Sequence, residues 1–274
     1  MPRKSSALFL AVFAVAGCKL STDLPPLKPI SLVTLRSIPD VSSSTGYVAQ
    51  ALAYFFSERG FSYADSHSPT NSCAGPQPLI TSGTGPSQWL NPGQPTQLTL
   101  KGPGVPPRTV QLLQGTPDAQ DPNVYTNAFE PTLYPGSDSA IVTVPGAAGG
   151  FPAIDVRGKT VEDFTFDPVA DSGGTGGLAL HWTPSTNSNS AMEIDLVYQT
   201  DPTASGLNAQ VVCVVIDDGD FSVPRSFLLG WETAGEDDNP LDHQVRFIRY
   251  LTATTTAGDA SILLINTLNK TEIK

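Results

Sequence analysis

Glycine and proline interrupt this chain so often that long helices are excluded: 24 glycines and 25 prolines stand among 274 residues. Proline removes a backbone donor and clashes with the preceding helical turn, while glycine supplies the conformations that turns need. Charged residues are only 15% of the chain. Aromatic and β-branched runs are still frequent enough to build a core, which a disordered chain lacks. The pattern predicts short strands joined by loops, an all-β class.

The strands can be placed. Residues 31–35, 96–101, 109–113 and 140–144 read as strands, the last ended by Pro145-Gly146. Residues 46–59 fit either a helix or a strand; read as a strand, they put Val48, Leu52, Tyr54 and Phe56 on one face. Residues 64–95 and 114–138 read as loop-rich. The glycine-rich run at 146–152 lacks the Lys-Ser/Thr ending of a phosphate loop and predicts a tight β connection. Further on, 160–166 alternates, 178–182 reads as a strand, and 191–200 sets Met192, Ile194, Leu196 and Tyr198 opposite Glu193 and Asp195. Strands over 209–216, 244–256 and 260–268 follow, and between the first two of these 221–224 leads to a further stretch at 226–231. Strands at this spacing predict an antiparallel β-sandwich over residues 31–274. A sub-boundary near 145–150 stays open.

The chain begins with Pro2-Arg3-Lys4, runs through ten uncharged residues at 7–16, and reaches Val15-Ala16-Gly17-Cys18. A basic start, a short apolar run and small residues before a cut make a secretory signal; the run is too short to span a bilayer. Val15-Ala16-Gly17-Cys18 resembles the lipobox of bacterial lipoproteins. The resemblance implies cleavage between Gly17 and Cys18, a diacylglyceryl group on the Cys18 thiol, and acylation (palmitate-type) of the new N-terminus. Residues 1–17 are then the signal peptide and 18–30 the lipidated tether, which contains Pro25, Pro26 and Pro29. Each buried methylene contributes about 0.8 kcal/mol, so several chains hold stably where one does not. Lys19 rather than Asp follows the anchor, which by resemblance to lipoproteins of enteric bacteria implies the outer membrane.

Removing 17 of 274 residues leaves 257, enough for one substantial core, and the loss of Arg3 and Lys4 takes the net charge from −11 to −13. That surface repels phosphate backbones, so nucleic acid is not an expected partner. Two cysteines remain, Cys73 and Cys213. The exported compartment permits a bridge between them, and a buried free thiol at Cys213 is the alternative.

Residues 178–182 and 212–224, with Val212-Cys213-Val214-Val215 leading to Asp217-Asp218-Gly219-Asp220 and Val223-Pro224, resemble the immunoglobulin-like β-sandwich portions of lipoproteins from myxobacteria and related predatory bacteria. The resemblance implies fold and address, not activity. The histidines, His67, His181 and His243, sit in no metal or nucleophile motif, and His181 beside Trp182 reads as structural. Two acidic clusters, Asp217, Asp218 and Asp220, and Glu236, Asp237 and Asp238 with Asp242, are candidates for calcium, which takes several oxygens around one point. Good turn chemistry explains the same residues. Trp89 is a candidate stacking platform for sugars, while Trp182 and Trp231 fit a core. The sequence therefore points to a non-catalytic, lipid-anchored envelope protein with a structural or protein-interaction role. A glycan-binding module, calcium-assisted, is the alternative, and a hydrolase the third class.

Overall fold

A computed structural model describes residues 26–39, 42, 47–58, 69–78, 88–102, 105–114, 125–129, 139–170, 176–200, 206–234 and 243–273. Residues 1–25, with Gly17 and Cys18, lie outside the described residues, as do His67, Glu236, Asp237, Asp238 and Asp242.

The fold is all-β. Its strands are β1 Lys28–Pro39, β2 Tyr47–Glu58, β3 Ser72–Pro78, β4 Gln88–Trp89, β5 Thr96–Gly102, β6 Val105–Gln114, β7 Tyr125–Phe129, β8 Ser139–Val144 and β9 Ile154–Lys159. They continue as β10 Leu178–His181, β11 Ala191–Tyr198, β12 Ala209–Ile216, β13 Asp220–Val223, β14 His243–Ala257 and β15 Ala260–Ile273. A 3-10 turn, Arg225–Phe227, leads into the short helix α1, Leu229–Ala234. No helix among the described residues is long and apolar enough to cross a membrane.

One continuous sheet runs β3-β12-β11-β14-β15-β1-β2-β7-β6-β5-β8-β9, with β4 paired to β2; β10 and β13 form a separate pair. The sheet turns back on itself at β7 and β6, so that β9 lies against β14 and β15. The result is a sandwich-like pair of layers. Pairing is antiparallel except between β1 and β15, where Val33 sits opposite Leu264 in a parallel register. That pair brings the start of the chain beside its end, and strands of both halves share one sheet. β8 and β9 pair across residues 145–153, with Val144 opposite Ile154.

Alternation builds the core, with β11 and much of β15 buried on both faces. β11 gives Met192, Ile194 and Leu196, β12 gives Val211, Cys213 and Val215, and β14 gives Val245 and Phe247, all facing the second layer. From the opposite layer come Leu98, Leu112, Val142 and Val156. Where β9 crosses this sheet the backbones approach closely: a Cβ at Gly158 would stand 3.1 Å from the Ala253 side chain.

Several expectations change. β2 is a single strand, but its buried face is Ala49, Ala51, Ala53 and Phe55, not the larger Val48–Phe56 set. Small side chains let the loop after β8 drop Phe151 onto Phe55, ring centroids 5.1 Å apart. That loop is a tight connection in which Phe151 donates its N–H to Asn91. Residues 160–166 do not form a strand; they run irregularly to an isolated bridge between Phe166 and Trp182. Residues 225–234 are helical rather than extended. β3 and β9 occupy stretches that alternation did not single out. The first strand among the described residues begins at Lys28.

Candidate functional site

The turn Asp217-Asp218-Gly219-Asp220 links β12 to β13, and Gly219 takes a φ of 97°, where a Cβ would meet the Trp182 carbonyl at 2.9 Å. Asp217 points inward. Arg249, on the inner face of β14 and 0% exposed, sets Nε 2.7 Å from Asp217 Oδ2 and Nη2 3.0 Å from Oδ1. Trp182 Nε1 donates to Oδ1 at 2.7 Å, and Ser190 Oγ donates to Oδ2 at 2.6 Å. Oδ1 thus accepts two hydrogen bonds and Oδ2 one, with the Nε contact to Oδ2 an ion pair. The guanidinium also donates to the carbonyls of Glu162, Asp163 and Thr183, and lies 4.8 Å from the centre of the Phe164 ring. One buried arginine therefore ties the irregular segment 160–170 and the β10–β13 pair to β14. A buried charge is tolerated only when paired and hydrogen-bonded in this way.

This arrangement corrects the calcium reading at that turn. Asp217 is committed to Arg249, Asp218 accepts from the Asp220 N–H at 3.5 Å, and Asp220 pairs with His181 at 2.8 Å. The three carboxylates do not converge, and no metal-holding group of three or more acidic, histidine or cysteine residues occurs among the described residues. His181 is not a core residue: its side chain is 54% exposed, because β10 turns it outward while Trp182 turns in. His243 sits edge-on to Trp231, ring centroids 4.7 Å apart. Trp182 and Trp231 are both buried.

An open cleft of about 200 Å³ lies beside the Arg249 cluster, lined by Lys159, Thr160, Glu162, Thr186, Asn187 and Ser188. The Glu162 carboxylate accepts from Ser185 Oγ at 3.1 Å and the Thr186 N–H at 2.8 Å, and also meets Thr186 Oγ1. Its backbone carbonyl is held by Arg249. The cleft offers hydroxyl, amide, ammonium and carboxylate groups to a small polar ligand, with no aromatic wall. No motif in the sequence marks it, since its groups come from two loops.

On the opposite face of β11 stands a second acidic pair, Glu193 and Asp195. Asp195 is 7% exposed and its Oδ1 has no hydrogen-bond partner among the described residues. Arg246 is directly across on β14, yet its guanidinium donates to Gln244 Oε1. Burial first, then the neighbouring Glu193, push the Asp195 carboxyl up to about 7, against a smaller pull from Arg246. Burial raises Glu193 as well. Tyr250, diagonal to Glu193 across β11 and β14, is held protonated by burial first and then by that carboxylate. Alternation sets these carboxylates opposite the apolar face of β11, and alternation alone gives no sign that their own face is covered.

Cys73 and Cys213 form a disulfide across 140 residues, directly opposite one another on β3 and β12. The bridge thus joins neighbouring strands of one sheet. Trp89, on β4, pairs with Phe56 and is half-buried; its ring centroid lies 6.3 Å from those of Tyr54 and Phe56. It is one member of a ring cluster rather than an isolated platform.

No family model matches the chain, and no curated protein matches it.

Proposed function

We propose that this chain is a lipid-anchored lipoprotein of the cell envelope, held at the outer membrane through Cys18, whose β domain has a structural or protein-interaction role. The observation that carries the reading is the order basic start, apolar run, Val15-Ala16-Gly17-Cys18, placed ten residues before the first strand. Support comes from the use of polar groups: Asp217 and Arg249 are spent on holding segments together, and Glu162 braces a turn. Two facing layers with Trp182 buried between them support an immunoglobulin-like description. The parallel β1–β15 pair and the in-sheet disulfide are departures from that pattern.

Crosslinking in intact cells, followed by recovery from the membrane fraction and mass spectrometry, tests the role. One recurrent, near-stoichiometric protein partner is the expected result. Recovery from the soluble fraction, or no partner above background, would count against it.

The second reading is a glycan-binding module, favoured by the polar cleft at Lys159, Glu162 and Asn187. Saturable binding of an envelope oligosaccharide, lost on Asn187→Ala with the fold intact, would establish it.

A further inference from the structure

β14 outruns one of its two neighbours. It pairs with β15 from Gln244 to Ala257 in one unbroken register, but β11 accompanies it only from His243 to Tyr250. Beyond Tyr250, the segment Leu251-Thr252-Ala253-Thr254-Thr255-Thr256-Ala257 has no strand on that side among the described residues. Thr252, Thr254 and Thr256 are exposed on the outer face, and Ala253 and Thr255 are half-buried on the inner one. The backbone N–H and C=O groups along such an edge are a template for one more strand.

The chemistry of this edge differs from that of the other open edges. β3 carries Pro76 and Pro78, and β6 carries Pro107 and Arg108. β9 carries Asp155, Arg157 and Lys159, and β15, past its pairing with β1, carries Lys270 and Glu272. Proline and charge keep an edge from pairing. Residues 251–257 hold neither, and no bulge twists them away. From Thr252 to Ala257 every residue is threonine or alanine, so the edge is open to a strand without being a sticky apolar surface.

We propose that this edge pairs with the same edge of a second copy of the chain, antiparallel about a two-fold axis. The occupant is a copy because the segment is complementary to itself. Centring the axis at Thr255 sets Thr254 opposite Thr256 and Ala253 opposite Ala257. The turn of each copy, at Gly258 and Asp259, then stops just short of the other's β11, whose first residue lies opposite Tyr250. Threonine pairs across strands are favourable, and like charges directly opposite are not. No charge in this segment meets its like, which matters for a chain whose net charge is −11. The two-fold arrangement is the commonest way for identical chains to pair. The proposal goes beyond the envelope reading and does not depend on the anchor.

The register makes the test specific. The full chain, purified from cells in nonionic detergent, is counted by sedimentation over a range of concentrations. Two chains per particle at the upper end is the expected result. Thr254→Lys combined with Thr256→Lys sets lysine opposite lysine across the axis and should return one chain per particle. Thr254→Lys combined with Thr256→Glu sets lysine opposite glutamate and should restore two. Both positions are exposed, so the far-ultraviolet circular dichroism of both variants should match that of the unaltered protein. One chain per particle at every concentration in the unaltered protein overturns the proposal. So does a dimer indifferent to the paired lysines, or one that the lysine–glutamate variant fails to restore. The mass of the N-terminal peptide reads the anchor separately, so failure of one reading is distinguishable from failure of the other.

Discussion

Arg249 and Asp217, 32 residues apart, meet inside the sandwich with Nε 2.7 Å from Oδ2 and Nη2 donating to Oδ1 at 3.0 Å, and Trp182 and Ser190 complete the carboxylate's shell. A hydrogen bond between two ionised groups, as from Nη2 to Oδ1, is stronger than one between neutral groups. The pair fixes where segment 160–170 and the β10–β13 pair sit on the sheet, and hence shapes the neighbouring cleft.

Breaking that pair from one side should be costly. Asp217→Asn keeps the shape but leaves Arg249 buried without its counter-charge, and is expected to lose about 3–5 kcal/mol in urea unfolding. The double variant Asp217→Leu with Arg249→Met should lose clearly less than the two single variants together, because neither charge is then stranded. Additive losses would show that the two residues act separately.

Asp195 sets a pH dependence. Its carboxyl moves from 3.8 to about 7 on folding, so the folded state holds the proton more tightly. Stability contributed by that proton is full below about pH 4 and is lost as pH rises through 7. Asp195→Asn should therefore stabilise the protein at pH 8 by on the order of a few kcal/mol, since each tenfold gain in proton affinity on folding corresponds to about 1.4 kcal/mol. The advantage should fade towards pH 4–5. Denaturant midpoints of both proteins at pH 5 and 8 measure this; a gain independent of pH would refute it.

The Cys73–Cys213 bridge closes a loop of 140 residues. Replacing both cysteines with alanine is expected to cost about 4–5 kcal/mol if chain entropy dominates. Comparison of thermal melts with and without reductant gives the same quantity by a second route, and an unchanged midpoint would contradict it.

The β2 strand shows where the sequence stops being legible. Alternation locates most strands, and in β11 it picks out Met192, Ile194 and Leu196, which are large and buried, but not the burial of Ala191, Asp195 and Val197 on the other face. In β2 the same logic selects the wrong face, since burial there goes to alanines that make room for Phe151. Size tells which side chains lose most from exposure, but close packing between layers can select the small ones. The Arg249 cluster is illegible for another reason. Its members come from β10, the loop before β11, the turn after β12, and β14, and only the fold brings them together. Asp217 does stand out by charge, but charge alone suggests a cation where the structure supplies a guanidinium. The large rings of Trp182 and Trp231 predict burial and both are buried, and His181, read as structural, pairs with Asp220 across β10 and β13 while its ring faces outward.

The mass of the N-terminal peptide from membrane-extracted protein tests the proposed anchor at Cys18 directly. The expected peptide begins at Cys18 and carries a diacylglyceryl group on sulfur together with an N-acyl chain. A mature chain that retains residues 1–17, or that starts elsewhere with an unmodified amine, would contradict the assignment of this protein as a lipid-anchored lipoprotein.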